Sequence, residues 1–288
     1  MNDIRNAKEL ILSTLVADAY SLGSHWVYDE KQLLNLDVDW NELNDAKALW
    51  HKDRKAGEFT HYGDQILWLY NFLQNKETFD VNEYTKYWFD RMQCYNGYID
   101  GASRDTLANI NEGLFPTGSS STDLSVVGRV APLLLVSKDK KEFLENVENF
   151  VQVTHNSNEA LIVSRFFAKL LIEVLEGKEI LKAIEELKEE FDSKIQGYIN
   201  SGLASKTEDT SVAIRNFGPA CDINGGFQGV IHLLSKYDNL KDMLVCNAKA
   251  GGETSARAML ATLIFMAQED KKLTQIPPSW LSIRATII

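Results

Sequence analysis

Glu253, Thr254, Ser255 and Arg257 follow a glycine pair, and His61, Tyr62 and Asp64 follow a second glycine-bearing loop, so acids, hydroxyls, an imidazole and a guanidinium gather at two points of the chain. Gly251 and Gly252 permit a sharp turn and a close backbone approach. Thr254 and Ser255 are good N-cap residues, and Met259, Leu260, Leu263 and Met266 recur at helical spacing behind them, which predicts a buried helix from Ala256. In the segment 57–73, Gly63 and Asp64 read as the cap of a helix carrying Ile66, Leu67, Leu69, Tyr70 and Leu73. A helix start offers unpaired N–H groups and partial positive charge, so it suits an anion, or a carboxylate holding a cation that holds an anion. The catalytic candidates are therefore Glu253 or Asp64 as general base, with His61 or His155 as acid/base groups suited to neutral pH. Arg257, one turn into the late helix, would neutralise Glu253 or a ligand phosphate. The plainer alternative is a pair of ordinary capped core helices.

Two polar helix starts at opposite ends of a helical chain can converge on one pocket between helices. The first helix shows Ile4, Ile11, Leu15 and Leu22 on one face, with Asp18 inside its apolar VADAYSLG segment. A carboxylate there is expected to be structural, bonding a neighbouring loop. In HWVYDE, residues 25–30, Trp26 or Tyr28 would lie against a ring or a ribose, or simply fill the core. The polar stretch from Leu33 to Lys55 reads as a surface excursion anchored by Trp40 and Trp50. Ser103 and Asp105 read as caps, and Thr122-Asp123-Leu124-Ser125 as the start of an apolar helix from Val126 to Leu135. Arg129 inside that helix needs a carboxylate partner, Asp123 or Glu253. Thr154-His155-Asn156 opens a helix from Glu159 to Leu175, and Lys178 to Phe191 reads as a solvated amphipathic helix. No period-two alternation is sustained, so the fold class is all-α.

The chain has 288 residues, 44% apolar and 25% charged, with no linker-like tract, which predicts a single domain over 1–288. No apolar run reaches the roughly 18 residues of a spanning helix, and the N-terminus lacks a secretory h-region. Three cysteines, Cys94, Cys221 and Cys246, show no CxxC spacing, which fits a reducing, cytoplasmic setting. A net charge of −11 opposes a nucleic-acid surface, and any phosphate-bearing small ligand would need a local site of helix starts, cations or arginine.

The strings VADAYSLGSHWVYDE, HYGDQILWL, DGASRDTL, STDLSVVGRVAPLLL, VTHNSNEA and AGGETSARAML occur in this order across most of the chain. In that order they resemble the signatures of the ADP-ribosylglycohydrolase superfamily, and most nearly a divergent branch that includes lens-crystallin relatives. The resemblance implies a single-domain bundle of many helices and hydrolysis of an N- or O-glycosidic bond of ADP-ribose on a small-molecule or ADP-ribosylated substrate. It also implies a pair of Mg2+ ions held by two loops, Thr-Asp-Asp-Thr early and Gly-Gly-Asp-Thr-Asp-Thr late. Carried over, the substrate contacts would be Trp26, Tyr62, Ser103, Asp123, His155, Asn156, Ser255 and Arg257. Here the early loop falls on His61, Tyr62, Gly63 and Asp64, and the late one has Glu253, Ser255 and Ala256 in place of the two aspartates and a threonine. Asp64, Glu253 and Ser255 remain as weak metal candidates, so Mg2+ is expected to bind beyond millimolar or not at all. Two readings stay open: a divergent glycosidic hydrolase, and a catalytically silent relative that binds a small ligand or serves as a structural protein.

Overall fold

The computed structural model describes residues 4–287 and, in the first helix, the side chains from residue 7 onward. Its elements in chain order are α1 (Ile4–Ser21), α2 (Glu30–Leu34), α3 (His61–Leu73), α4 (Val81–Gln93), α5 (Gly101–Asn111), α6 (Lys140–Thr154), α7 (Asn158–Leu175), α8 (Ile180–Lys188), α9 (Ser193–Ala204), α10 (Thr210–Phe217), α11 (Ile223–Lys236), α12 (Leu240–Ala250) and α13 (Thr254–Met266). Among the described residues there is no β-strand, only the isolated bridges Ser119–His155 and Asp123–Asp222. The fold is all-α.

Helix α13 lies at the centre, and every residue from Thr254 to Met266 is buried. Its sequence has no polar face to offer water, so it must be surrounded; α1 runs along it, with α11, α12 and the 124–129 segment on its other sides. Ile11 and Leu15 are buried from α1 and Leu22 just beyond its end, whereas the side chain of Ile4 lies outside the described residues. Aspartates begin many of the surrounding helices. Asp80, Asp139, Asp192, Asp209 and Asp222 accept N–H bonds in the first turns of α4, α6, α9, α10 and α11, which satisfies donors that each helix leaves unpaired.

Several local expectations are corrected. The segment 126–135 is two 3-10 turns, Leu124–Arg129 and Ala131–Leu135, because Pro132 cannot donate an N–H and its ring would collide with the carbonyl four residues earlier in an α-helix. Helix α7 begins after Ser157, which caps it, while His155 ends α6. In the 33–55 excursion Trp50 is 54% exposed and anchors nothing, and the next residue, His51, is only 4% exposed. That inversion brings an imidazole into the interior.

Candidate functional site

The starts of α3 and α13 meet through Asp18. Its carboxylate accepts from the Thr60 N–H at 2.8 Å, the Thr60 hydroxyl at 2.6 Å and the Ser255 hydroxyl. Thr60 in turn accepts from the Tyr62 N–H at 3.1 Å and is the true cap of α3, so this helix starts at His61 and not after Gly63-Asp64. Gly63 is required by the same approach, since a Cβ there would stand 2.2 Å from Asp18 Oδ2. Burial raises the Asp18 carboxyl to about 6, against the pull of its Ser255 and Thr60 donors. The expected structural role of Asp18 agrees with this geometry.

Glu253, not Thr254 or Ser255, caps α13, accepting from the Ala256 N–H at 3.2 Å. Its backbone is placed by the glycine turn: Gly251 and Gly252 have φ of 70° and 67°, where a side chain is strained, and a Cβ on Gly252 would meet the Pro219 oxygen at 2.2 Å. Trp26 donates its backbone N–H to the Gly252 oxygen at 2.8 Å and its indole N–H to Glu253 Oε2 at 2.6 Å. These bonds hold Trp26 at φ 61°, a left-handed conformation costly to a bulky residue. The Tyr62 hydroxyl lies 3.3 Å from Glu253 Oε2 and 3.1 Å from Asp123 Oδ2. One hydroxyl carries one proton, so both contacts are hydrogen bonds only when a carboxyl supplies a second. Burial, and next the Asp123 charge, raise Glu253 to about 8, which favours its protonated form. Asp123 is half-buried and is itself raised by burial and by Asp100. Cys221 completes this group, with one ligand atom from each of Asp123, Cys221 and Glu253 within 4.8 Å of one another, and burial beside two carboxyls pushes its thiol up.

Around Trp26 lie three of the chain's five histidines, His25, His51 and His61. His51 Nε2 and His61 Nδ1 are 3.1 Å apart, and His25 Nδ1 is 3.3 Å from Glu253 Oε1. Burial, reinforced by the neighbouring imidazoles, drives His25 far below its ordinary value and His51 to about 3, so both are neutral and the contact of His25 with Glu253 is not an ion pair. His61 Nε2 faces Asp100 Oδ2 at 3.2 Å. Burial opposes ionisation of Asp100, but the His61 contact and the Ser103 donors outweigh it and hold this carboxyl below the usual range. Tyr98 closes the nest edge-on to Trp26.

A family model described as ADP-ribosylglycohydrolase matches residues 2–284. The chain belongs to the ADP-ribosylglycohydrolase family. Two curated relatives from Tripedalia cystophora, Crystallin J1A and Crystallin J1B, are 24% and 23% identical, each match covering 96% of this chain and 91% of the relative. A solved structure titled an ADP-ribosylglycohydrolase-related protein complex superposes with a TM-score of 0.74 at 16% identity, covering 96% of this chain and 92% of that one, a likeness of fold.

The sequence-selected residues divide sharply. Glu253, Tyr62, Trp26 and Asp123 come together, and His61 stands beside them across Trp26. Asp64 does not: its carboxylate is bonded to Arg54 and Tyr95 and borders a separate hollow of about 450 Å3 with Trp68 and Arg91. Ser255 is committed to Asp18. Arg257 is buried, donating to Asn247 Oδ1 at 2.9 Å and the Gly251 oxygen at 2.6 Å, so it braces the turn instead of meeting a ligand phosphate. Burial lowers it to about 10. Ser103 is buried as a donor to Asp100, His155 is buried with Nδ1 at 2.9 Å from the Thr154 hydroxyl, and Asn156 is exposed. Arg129 pairs with neither Asp123 nor Glu253; it donates to Gln65 Oε1 at 2.6 Å and the Ser125 oxygen at 3.3 Å.

This donor set does not fit a pair of Mg2+ ions. Hard cations of this kind need several oxygen ligands each. Tyr62, Gly63 and Ser255 stand where the family's carboxylates are expected, and the Ser255 and Asp64 oxygens are bonded elsewhere. The sequence gives no signal for His51, Cys221 or Asp100. A lone histidine in a polar excursion and a lone cysteine in a loop carry no spacing signal.

Proposed function

We propose that the protein hydrolyses a glycosidic bond at the anomeric carbon of an ADP-ribosyl or related nucleoside-linked substrate, using Glu253 and Asp123 as paired catalytic carboxyls. The observation that carries this reading is the Glu253–Tyr62–Asp123 contact, in which two carboxyls share one hydroxyl and burial favours the protonated form of Glu253. Glycosidases whose two carboxyls stand only about 5–5.5 Å apart use one as the acid for the leaving group and the other as the nucleophile, and an oxygen of Asp123 lies within 4.8 Å of one of Glu253. Glu253 donates its proton to the leaving atom as the half-buried Asp123 bonds to the anomeric carbon and the glycosidic bond breaks. Glu253, now ionised, takes a proton from the water whose oxygen displaces Asp123 from that carbon, which restores both groups. Trp26 and the half-exposed Tyr28 would wall a ribose. This assigns Glu253 as an acid at neutral pH, where the sequence suggested a base. The three cysteines are free thiols, which fits a cytoplasmic enzyme, and the acidic chain suits a small-molecule or ADP-ribosylated substrate better than nucleic acid.

A second reading, a silent relative that binds a ligand or serves structurally, draws support from the internal bonding of Ser255 and Asp64 and from the relatives named as crystallins. A panel of ADP-ribosylated arginine, ADP-ribosylated serine and free nucleoside-diphosphate-ribose substrates separates the two. Turnover by the wild-type protein that Glu253→Gln abolishes supports the hydrolase. Turnover no greater than that of Glu253→Gln on every substrate rejects it, and ADP-ribose binding by that inactive protein selects the silent reading.

A further inference from the structure

His232 shows what a buried histidine in this fold does when it is purely structural. Its Nδ1 lies 2.7 Å from the Ser205 hydroxyl and its Nε2 3.0 Å from the Thr210 hydroxyl, so both ring nitrogens are satisfied. The trio beneath Trp26 is different. His25, equally buried, makes no hydrogen bond through either nitrogen among the described residues, while His51 Nε2 and His61 Nδ1 face each other. Unpaired buried polar atoms cost stability unless something else meets them, so the His25 nitrogens need an explanation.

We propose that His25, His51 and His61 form a nitrogen-donor site for one borderline divalent transition cation of the Zn2+ class. One ligand atom from each ring lies within 4.8 Å of the other two. Two nitrogens bound to one tetrahedral zinc, each about 2.0–2.1 Å from it, lie roughly 3.3 Å apart. The His51 Nε2 to His61 Nδ1 separation is 3.1 Å, and His25 supplies the third donor. The second shell is in place: Asp100 Oδ2 faces the opposite nitrogen of His61 at 3.2 Å, the carboxylate–histidine arrangement that orients a metal-bound imidazole. Asp100 is itself fixed by the Ser103 N–H at 2.6 Å. Glu253 Oε1, 3.3 Å from His25 Nδ1, borders the fourth position. Trp26 covers the nest, its ring centroid 4.7 Å from His25, 5.1 Å from His51 and 5.3 Å from His61. Imidazole donors select zinc, copper, nickel or iron over magnesium, so this site is chemically distinct from a carboxylate site for paired Mg2+. It stands whether or not the protein is a hydrolase.

Untagged, metal-stripped protein titrated with Co2+ and with Zn2+ tests the proposal. The expected result is one equivalent of Zn2+ bound at micromolar affinity or tighter and not displaced by excess Mg2+. Co2+ should give the intense visible absorption of a four-coordinate, nitrogen-ligated ion and quench Trp26. His51→Ala, at a buried position in the 3-10 turn 49–51 between the helices, should weaken Zn2+ about a hundredfold or more with the helical circular dichroism unchanged. The proposal is overturned if the wild-type protein takes up no stoichiometric Zn2+, if Co2+ shows only the weak spectrum of oxygen ligation, or if a folded His51→Ala binds as the wild type does. Loss of Zn2+ in Cys221→Ser with retention in His51→Ala would also overturn it, placing the ion on the carboxyl–thiol group. Should His51→Ala unfold, the wild-type Co2+ spectrum decides alone. Loss of turnover in Glu253→Gln bears only on the hydrolase reading.

Discussion

Asp18 and Glu253 are carboxyls sealed between the same two helix starts, those of α3 and α13, and they differ in what surrounds them. Three donors converge on Asp18, and the acid whose charge raises it is Asp64, whose own charge is met by Arg54. Glu253 also receives donors, from Trp26 and the Ala256 N–H, but a second carboxyl, Asp123, reaches the same Tyr62 hydroxyl. Burial raises both groups, to about 6 for Asp18 and about 8 for Glu253, so at neutral pH the first is ionised and the second is not. Equal burial therefore goes with a hydrogen-bonded anion in one place and a carboxyl that favours its proton in the other. The neighbours decide which.

Removing the acid should produce the largest effect. Glu253→Gln keeps the shape and the Trp26 bond but cannot give up a proton, so kcat on any accepted substrate should fall by about a thousandfold, within the usual range for a lost acid/base group. A loss under tenfold would show that Glu253 is not the acid. Asp18→Asn should act on stability instead: an amide accepts through one oxygen only, so it cannot serve the donors on both Oδ1 and Oδ2 as the carboxylate does, and a buried unmet donor costs about 1–3 kcal/mol. Denaturant unfolding should show that loss, while kcat in the surviving folded protein stays within a fewfold of wild type.

The pH dependence of stability sharpens the contrast. In the unfolded chain Glu253 releases its proton near 4.5, and in the folded protein near 8, so between these values the native state holds one proton more. Stability contributed by this group is then greatest below pH 4.5, declines as pH rises towards 8, and is flat above. The decline between pH 6 and 8.5 should amount to a few kcal/mol at most in wild-type unfolding and should vanish in Glu253→Gln. Asp18, raised only to about 6, contributes its own decline below that window. The smallest effect concerns Mg2+: calorimetry should find no site tighter than millimolar at the two helix starts. Two tight equivalents would contradict the donor bookkeeping at Ser255 and Asp64.

Much of this arrangement was legible in the chain. The apolar run from Ala256 to Met266 has no polar face, so a central buried helix follows from its pattern, and the glycine pair before it foretells the turn that aims Glu253. The cap itself was misread by a residue or more, because Glu is a rarer N-cap than Thr or Ser, and Thr60 was hidden ahead of Gly63-Asp64. Pairings were less legible than positions. Arg129 met Gln65 where a carboxylate was expected, because carbonyl oxygens from across the fold can satisfy a guanidinium and sequence does not reveal who arrives. His51 escaped notice because a 3-10 turn points Trp50 outward and the histidine inward, a one-residue choice invisible without the packing.

The central claim is that Glu253 holds a proton at neutral pH. Infrared difference spectroscopy of the carboxyl C=O stretch across pH 6 to 10, wild type against Glu253→Gln, reads that proton directly. A protonated buried carboxyl band present at pH 7, lost with a midpoint near pH 8 and missing from Glu253→Gln is the predicted result. A wild-type spectrum with no such band at pH 7, or one that Glu253→Gln leaves intact, would contradict it.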